Sequence, residues 1–289
     1  MPPRRPLLLM LASALCFAGM ALAAKLASRA LPAGEITLVR FSIMLLPLLL
    51  VADWRREAMR FQRLDLLIYR GLFGGVAVLL YFFAIAHVPV GIATLLNYSS
   101  PIFSVLFAAV FLGERADRRL LFPFVAALAG VFLVSTGRSG IESGWTLGRW
   151  ELAGLASAVL SGAAVAAIRA ARRSESSWAI YGSFSIFGLA VSAPFGIAGF
   201  RAPTALEWGL LAAVGGFSIA AQLLMTYAYR WVTNLQAGVL AQLTVVLSLA
   251  AGALWLGERL TVRALSGCVL TLAGVVGVVW LQATPRAVE

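Results

Sequence analysis

Four polar residues stand side by side in an otherwise apolar run: Asn97, Tyr98, Ser99 and Ser100, followed by Pro101. An amide, a phenol and two hydroxyls offer donors and acceptors but no nucleophile–base pair, so the chemistry open to them is hydrogen bonding to a solute. Gln242 and Thr244 stand in a second such run, and Gln222 in a third. Unpaired amides and hydroxyls are unfavourable in hydrocarbon. These side chains therefore either line a wet pocket or hydrogen-bond neighbouring helices. Pro101 lacks a backbone donor and frees the carbonyl four residues back, at Asn97, which makes it a candidate hinge. Phe17, Tyr81 and Phe82 could floor an apolar subsite, or could be ordinary core or lipid-facing rings.

Charged residues are sparse. All twelve acids lie in loops, tails or the ends of apolar runs. Proton relays in pumps use carboxylates or histidines inside the membrane, so no simple relay is expected. The sole histidine, His87, lies at a run end, either as an interfacial side chain or as a titrating group at a pore mouth. Arg40 lies one to two turns inside the second run and either snorkels, pairs, or attracts a carboxylate substrate. The only lysine, Lys25, follows Ala24, so no phosphate-binding Gly-x-x-x-x-Gly-Lys exists. Cys16 and Cys268 sit inside apolar runs and form no metal-ligand cluster. The residues thus predict no enzyme, no cofactor, no metal and no ATPase partner.

The elements that position these groups follow from composition. Of 289 residues, 61% are apolar and 12% charged, with a mean hydropathy of +0.93. An ordinary soluble domain is about half apolar and about a quarter charged, so the solvent for this chain is a lipid bilayer. The net charge of +11 is scattered between apolar runs instead of gathered in a stripe, which argues against a nucleic-acid partner.

Ten apolar runs are long enough to span if helical: 7–30, 35–52, 66–87, 91–112 and 120–136, then 150–171, 178–200, 206–231, 235–256 and 264–281. None alternates as a membrane β-strand does. The tryptophans, among them Trp54, Trp150, Trp178 and Trp255, fall near run ends, where headgroups meet water. With the N-terminus inside, cytoplasmic connections carry roughly twice the basic residues of the other side, which predicts both termini cytoplasmic in an inner membrane. Arg4-Arg5, the first run and Ala21-Leu22-Ala23 together resemble a signal peptide, but the repeat argues that this run is retained.

Shifted by 144 residues, the sequence matches itself. Leu11-Ala12-Ser13-Ala14 falls on Leu155-Ala156-Ser157-Ala158, Gly113-Glu114-Arg115 on Gly257-Glu258-Arg259, and Leu128-Ala129-Gly130-Val131 on Leu272-Ala273-Gly274-Val275. The repeat splits the chain into residues 1–144 and 145–289. Each copy holds five runs, an odd number, so the second enters the membrane from the opposite side. The expected fold is all-α and integral to the membrane, with ten transmembrane helices as two inverted five-helix repeats and a site between them.

Gly113-Glu114-Arg115 through Gly130-Val131, their copy at Gly257–Gly274, the Asn97–Pro101 segment and Arg40 resemble the drug/metabolite transporter superfamily. The ten-run layout extends that resemblance over the whole chain. It implies an EamA-type exporter of amino acids or related metabolites, with the aromatic amino-acid exporters as the nearest branch. The second copy carries Val245 where the first has Pro101, so the family's proline is not symmetric here.

Lys25 aligns with Arg169, and Glu114 with Glu258. The topology places Lys25 and Glu258 on one face and Arg169 and Glu114 on the other. Two ion pairs, one at each face, would suit alternating access. The plain alternative is four charges snorkelling to water separately. The sequence as a whole predicts an exporter of amino acids or related small metabolites by alternating access. A broad-specificity drug/metabolite facilitator or channel-like permease is the other reading.

Overall fold

The computed structural model of the protein describes residues 4–112, 119, 121–136, 148–171, 174–228 and 234–283. Among these residues the chain is helical, without strands. The first half supplies α1 (Arg4–Ala27), α2 (Ala33–Leu50), α3 (Ala52–Ala58), α4 (Leu64–His87), α5 (Val90–Tyr98), α6 (Ser100–Leu112) and α7 (Leu121–Thr136). The second supplies α8 (Arg149–Ala171), α9 (Ser177–Ala198), α10 (Ala205–Ala228), α11 (Asn234–Leu256) and α12 (Val262–Ala283). Seven of these helices are long and apolar enough to cross a membrane. Large apolar side chains stand on the outer surface, Leu254, Phe122 and Val262 among them. In water such a surface would aggregate; in lipid it is solvated.

Two features depart from the expected runs. The run 91–112 is broken into α5 and α6 at Ser99, two residues before Pro101. Pro101 has no N–H to give the Asn97 carbonyl, and the Ile102 N–H bonds to the Ser99 carbonyl, three residues back, at 3.0 Å. Between α2 and α4, the short exposed α3 lies beside α9, with Trp54 stacked on Trp178 at 4.4 Å between ring centres.

The halves are joined by exchange. Ser13 on α1 donates to the Ala221 carbonyl on α10 at 2.8 Å, and Ser157 on α8 donates to the Ala77 carbonyl on α4 at 2.7 Å. Ser13 and Ser157 are repeat mates, as are Ala77 and Ala221. The two bonds are therefore one interaction seen twice, and each half lays its first helix against a helix of the other.

Helix directions follow from contacts at one end of α4. Near the end of α1, Lys25 reaches the Ile85 and Val88 carbonyls at the C-terminal end of α4, each at 2.8 Å, so α1 and α4 run the same way. Trp150, at the start of α8, stacks on His87 at that same end of α4, 3.7 Å between ring centres. Helix α8 therefore runs opposite to its mate α1, and the copies are inverted.

Mated glycines close the seam between α7 and α12. A Cβ on Gly274 would lie 2.6 Å from the Ala127 nitrogen and the Pro123 carbonyl oxygen, and one on its mate Gly130 would strike Thr271. Gly216 on α10 has nothing within 4 Å of such a Cβ. Gly274→Ala should therefore lower the melting temperature in detergent by several degrees, the effect of ~1–3 kcal/mol of overpacking. Gly216→Ala should leave it unchanged or raise it slightly. Equal shifts from the two substitutions would contradict the close approach of α7 and α12.

Candidate functional site

Two arginines converge in the protein interior from opposite ends of the bundle. Arg40 lies seven residues from the start of α2 and Arg70 six from the start of α4, about 9–10 Å from those helix ends at 1.5 Å per residue. Arg40 is 3% exposed and Arg70 7% exposed. Both guanidiniums sit over one ring of the second half, Phe184 on α9, with Arg70 4.1 Å and Arg40 5.8 Å from its centre. Arg40 also lies 4.7 Å from the Phe41 ring centre and 5.7 Å from that of Phe82.

Direct polar support is thin. The Arg40 Nε donates to Ser218 Oγ on α10 at 2.8 Å, and that hydroxyl in turn donates to the Val214 carbonyl. The Arg40 Nη1 and the Arg70 Nε have no hydrogen-bond partner. Among the described residues no carboxylate forms an ion pair with either arginine. Cation–π contacts return about 0.5–2 kcal/mol each, while an unpaired cation at such depth costs several kcal/mol.

The repeat makes this centre asymmetric. The mate of Arg40 is Phe184, and the mate of Ser218 is Gly74. Where one side has a guanidinium bonded to a hydroxyl, the other has a phenyl ring 3.1 Å from the point a Gly74 Cβ would occupy. The Arg70 Nη1 fills the space that a Gly74 Cβ would take.

Tyr98 marks the pseudo-twofold axis, because it contacts its own mate: the Gln242 Nε2 donates to the Tyr98 carbonyl at 3.3 Å. Asn97 turns to α8 and donates to Ser157 Oγ at 2.6 Å and Ser161 Oγ at 3.2 Å. Ser99 donates to the Leu96 carbonyl within its own turn. Ser100 and Pro101 are half-buried beside the helix break. Thr244 is buried with its hydroxyl unpaired, and Gln222 is half-buried on α10. Tyr81 bonds Thr94 at 2.9 Å, Phe82 is buried beside Arg40, and Phe17 packs against the main apolar core. Among the described residues no group of three or more His, Cys, Asp or Glu side chains could hold a metal.

Comparison with known proteins bears on this arrangement. The EamA-like transporter family matches residues 4–136 and again residues 148–280, two copies that begin 144 residues apart. The chain belongs to the EamA-like transporter family. A pseudopaline exporter, CntI, of Pseudomonas aeruginosa strain UCBPP-PA14 is 31% identical over 247 residues, covering 85% of this chain and 86% of its own. A probable terminal-alkyne amino-acid exporter of Streptantibioticus cattleyicolor is 40% identical over 76 residues, 26% of this chain and 24% of its own. One solved crystal structure superposes with a TM-score of 0.66 at 24% identity, over 96% of this chain and 97% of its own, and shows the same fold.

In this EamA chain the Gly-Glu-Arg motif has a visible role. Gly257 takes φ +67° and ends α11 with the left-handed turn that glycine adopts without strain. Glu258 then folds back over Gly252, and its carboxylate accepts the Val90 N–H, at 2.9 and 3.0 Å, at the start of α5. Lys25 holds the last carbonyls of α4 on the other side of the same corner. The two charges complement the ends of the two helices there. The counterpart charges Glu114 and the side chain of Arg169 lie outside the described residues.

Burial pushes the Glu258 carboxyl above the usual range, although the Val90 N–H and the charges of Lys25 and Arg29 oppose the shift. A raised carboxyl binds protons more readily folded than unfolded, so its ionisation subtracts stability as pH rises through the raised value. Glu258→Gln should therefore melt at or above the wild-type temperature at pH 7. That difference should shrink as the pH is lowered into the acid range. Thermal melts across pH check this, and a variant that melts lower at pH 7 and gains nothing on acidification contradicts it.

Proposed function

We propose that this chain exports amino acids or related small metabolites by alternating access through the centre between its inverted halves. The reading comprises ten membrane crossings, with α5 and α6 together forming the fourth. Both termini lie in the cytoplasm, and the membrane is a cell inner membrane. The observation that carries it is the pair of EamA-like copies that meet mate to mate around a buried polar centre. The names of the pseudopaline exporter and of the terminal-alkyne amino-acid exporter support the direction and the solute class.

The residues divide the work. Arg40, Tyr98, Gln242 and Thr244 lie at or near the axis, where an inverted-repeat carrier holds its solute. Asn97, Ser99 and Ser100 form the broken segment, and Pro101 keeps it from closing into one straight helix. Phe17, Tyr81, Phe82 and Gln222 complete the walls. Lys25 and Glu258 latch one face, with Arg169 and Glu114 their counterparts at the other. Rocking one half against the other makes one latch as it breaks the other.

Purified protein in proteoliposomes should exchange radiolabelled amino acid in counterflow, accumulating label transiently against preloaded unlabelled solute. A channel-like permease would equilibrate label without that overshoot. Lys25→Met should slow exchange at least several-fold. Wild-type liposomes that move no amino acid or metabolite would remove the assignment and leave the architecture standing.

A further inference from the structure

The exporter reading leaves the charge of the solute open, and the two arginines decide it. We propose that Arg40 and Arg70 together bind a solute carrying two carboxylates, an acidic amino acid or a larger amino polycarboxylate, in preference to a neutral amino acid. This rests on the exporter reading for transport, though not for binding.

Both side chains are more than nine-tenths buried and carry unpartnered N–H groups. The rings of Phe41, Phe82 and Phe184 cover guanidinium faces. A guanidinium stacked on a ring keeps its N–H edge free, and that edge matches the two oxygens of a carboxylate. Both charges lie within 6 Å of the Phe184 ring centre, so they are at most about 10 Å apart. A four- to six-carbon dicarboxylate spans such a distance.

Charge count excludes the simpler solute. A neutral amino acid brings one carboxylate and one ammonium, leaves the pair's net charge unchanged, and sets a third cation beside two. A plain dicarboxylate such as glutarate neutralises both guanidiniums, and an acidic amino acid, net −1, gives each guanidinium a carboxylate and lowers the net charge of the site by one. The site is also built for the second arginine: Gly74 lacks the side chain that would occupy the position of the Arg70 Nη1. Both cations come from the first half, so the duplicated fold does not by itself produce them.

The test uses the full chain purified in detergent, with melting temperature followed against glutamate, 2-aminoadipate, glutarate, leucine, phenylalanine and sulfate. The dicarboxylates should half-saturate at concentrations at least about tenfold below leucine and phenylalanine, the effect of one further charge-assisted contact. Arg40→Met and Arg70→Met should each melt at or above wild type when unliganded, because each removes an uncompensated buried charge. Each should weaken the dicarboxylate response at least tenfold. Gly74→Ala keeps both charges, displaces the Arg70 Nη1, and should weaken the response several-fold.

Equal responses to neutral and acidic amino acids, sulfate matching the dicarboxylates, or no dicarboxylate response at millimolar concentration would each overturn the proposal. So would arginine variants that melt lower and still respond. Counterflow separates the two readings. Neutral amino acids moving while dicarboxylates neither bind nor move sinks this proposal and spares the exporter. Dicarboxylate binding without movement of any solute sinks the exporter and spares the site.

Discussion

Neither half of this protein can bury its own surface, and the exchange of helices between halves is the constraint from which the rest follows. Helix α1 lies on α10 and α8 on α4, each crossing sealed by a serine that donates to a backbone carbonyl. Lipid offers no hydrophobic drive between helices, so such contacts depend on close packing and interhelical hydrogen bonds. Small residues make the approach possible, as at Gly130 and Gly274. With first helices swapped, α2, α4, α9 and α10 are left to enclose the middle. The guanidiniums of Arg40 and Arg70, the Phe184 ring and the Ser218 hydroxyl meet there.

That middle is energetically unusual. Among the described residues, many buried polar groups are satisfied: Ser185 and Ser192 bond to carbonyls of their own helix, and Tyr181 reaches across to the Met44 carbonyl on α2. Arg40 and Arg70 depart from this: ring faces and one hydroxyl hold them, and each keeps an N–H without a partner. Strain of this kind persists only where surrounding packing enforces it, and it concentrates at functional sites.

Much of the fold was legible from the sequence because its strongest signals are long and redundant. Five apolar runs repeated at an offset of 144 fix the helices and the inversion together, and the mated bonds of Ser13 and Ser157 realise that offset in space. The break at Ser99 was readable from Pro101, whereas α3 was not, since seven polar-rich residues between two long runs look like loop. The candidate site is less legible in the sequence. Asn97, a pocket candidate by its sequence, donates to Ser157 and Ser161 on α8. Arg70 went unweighted, although a basic residue inside an apolar run is itself a signal. Phe184 and Ser218 carried none, because an aromatic and a hydroxyl in such runs are commonplace. Only the geometry that brings α9 and α10 onto α2 and α4 makes them partners.

The broken equivalence of Arg40 with Phe184, and of Ser218 with Gly74, has a thermodynamic corollary. Two identical inverted halves would make the two openings of a carrier mirror each other and cost the same. Placing both cations on one half lifts that degeneracy. In the proposed carrier, the resting orientation of the empty protein would then be weighted by a handful of side chains at its centre, and a bound anionic solute would change the weighting.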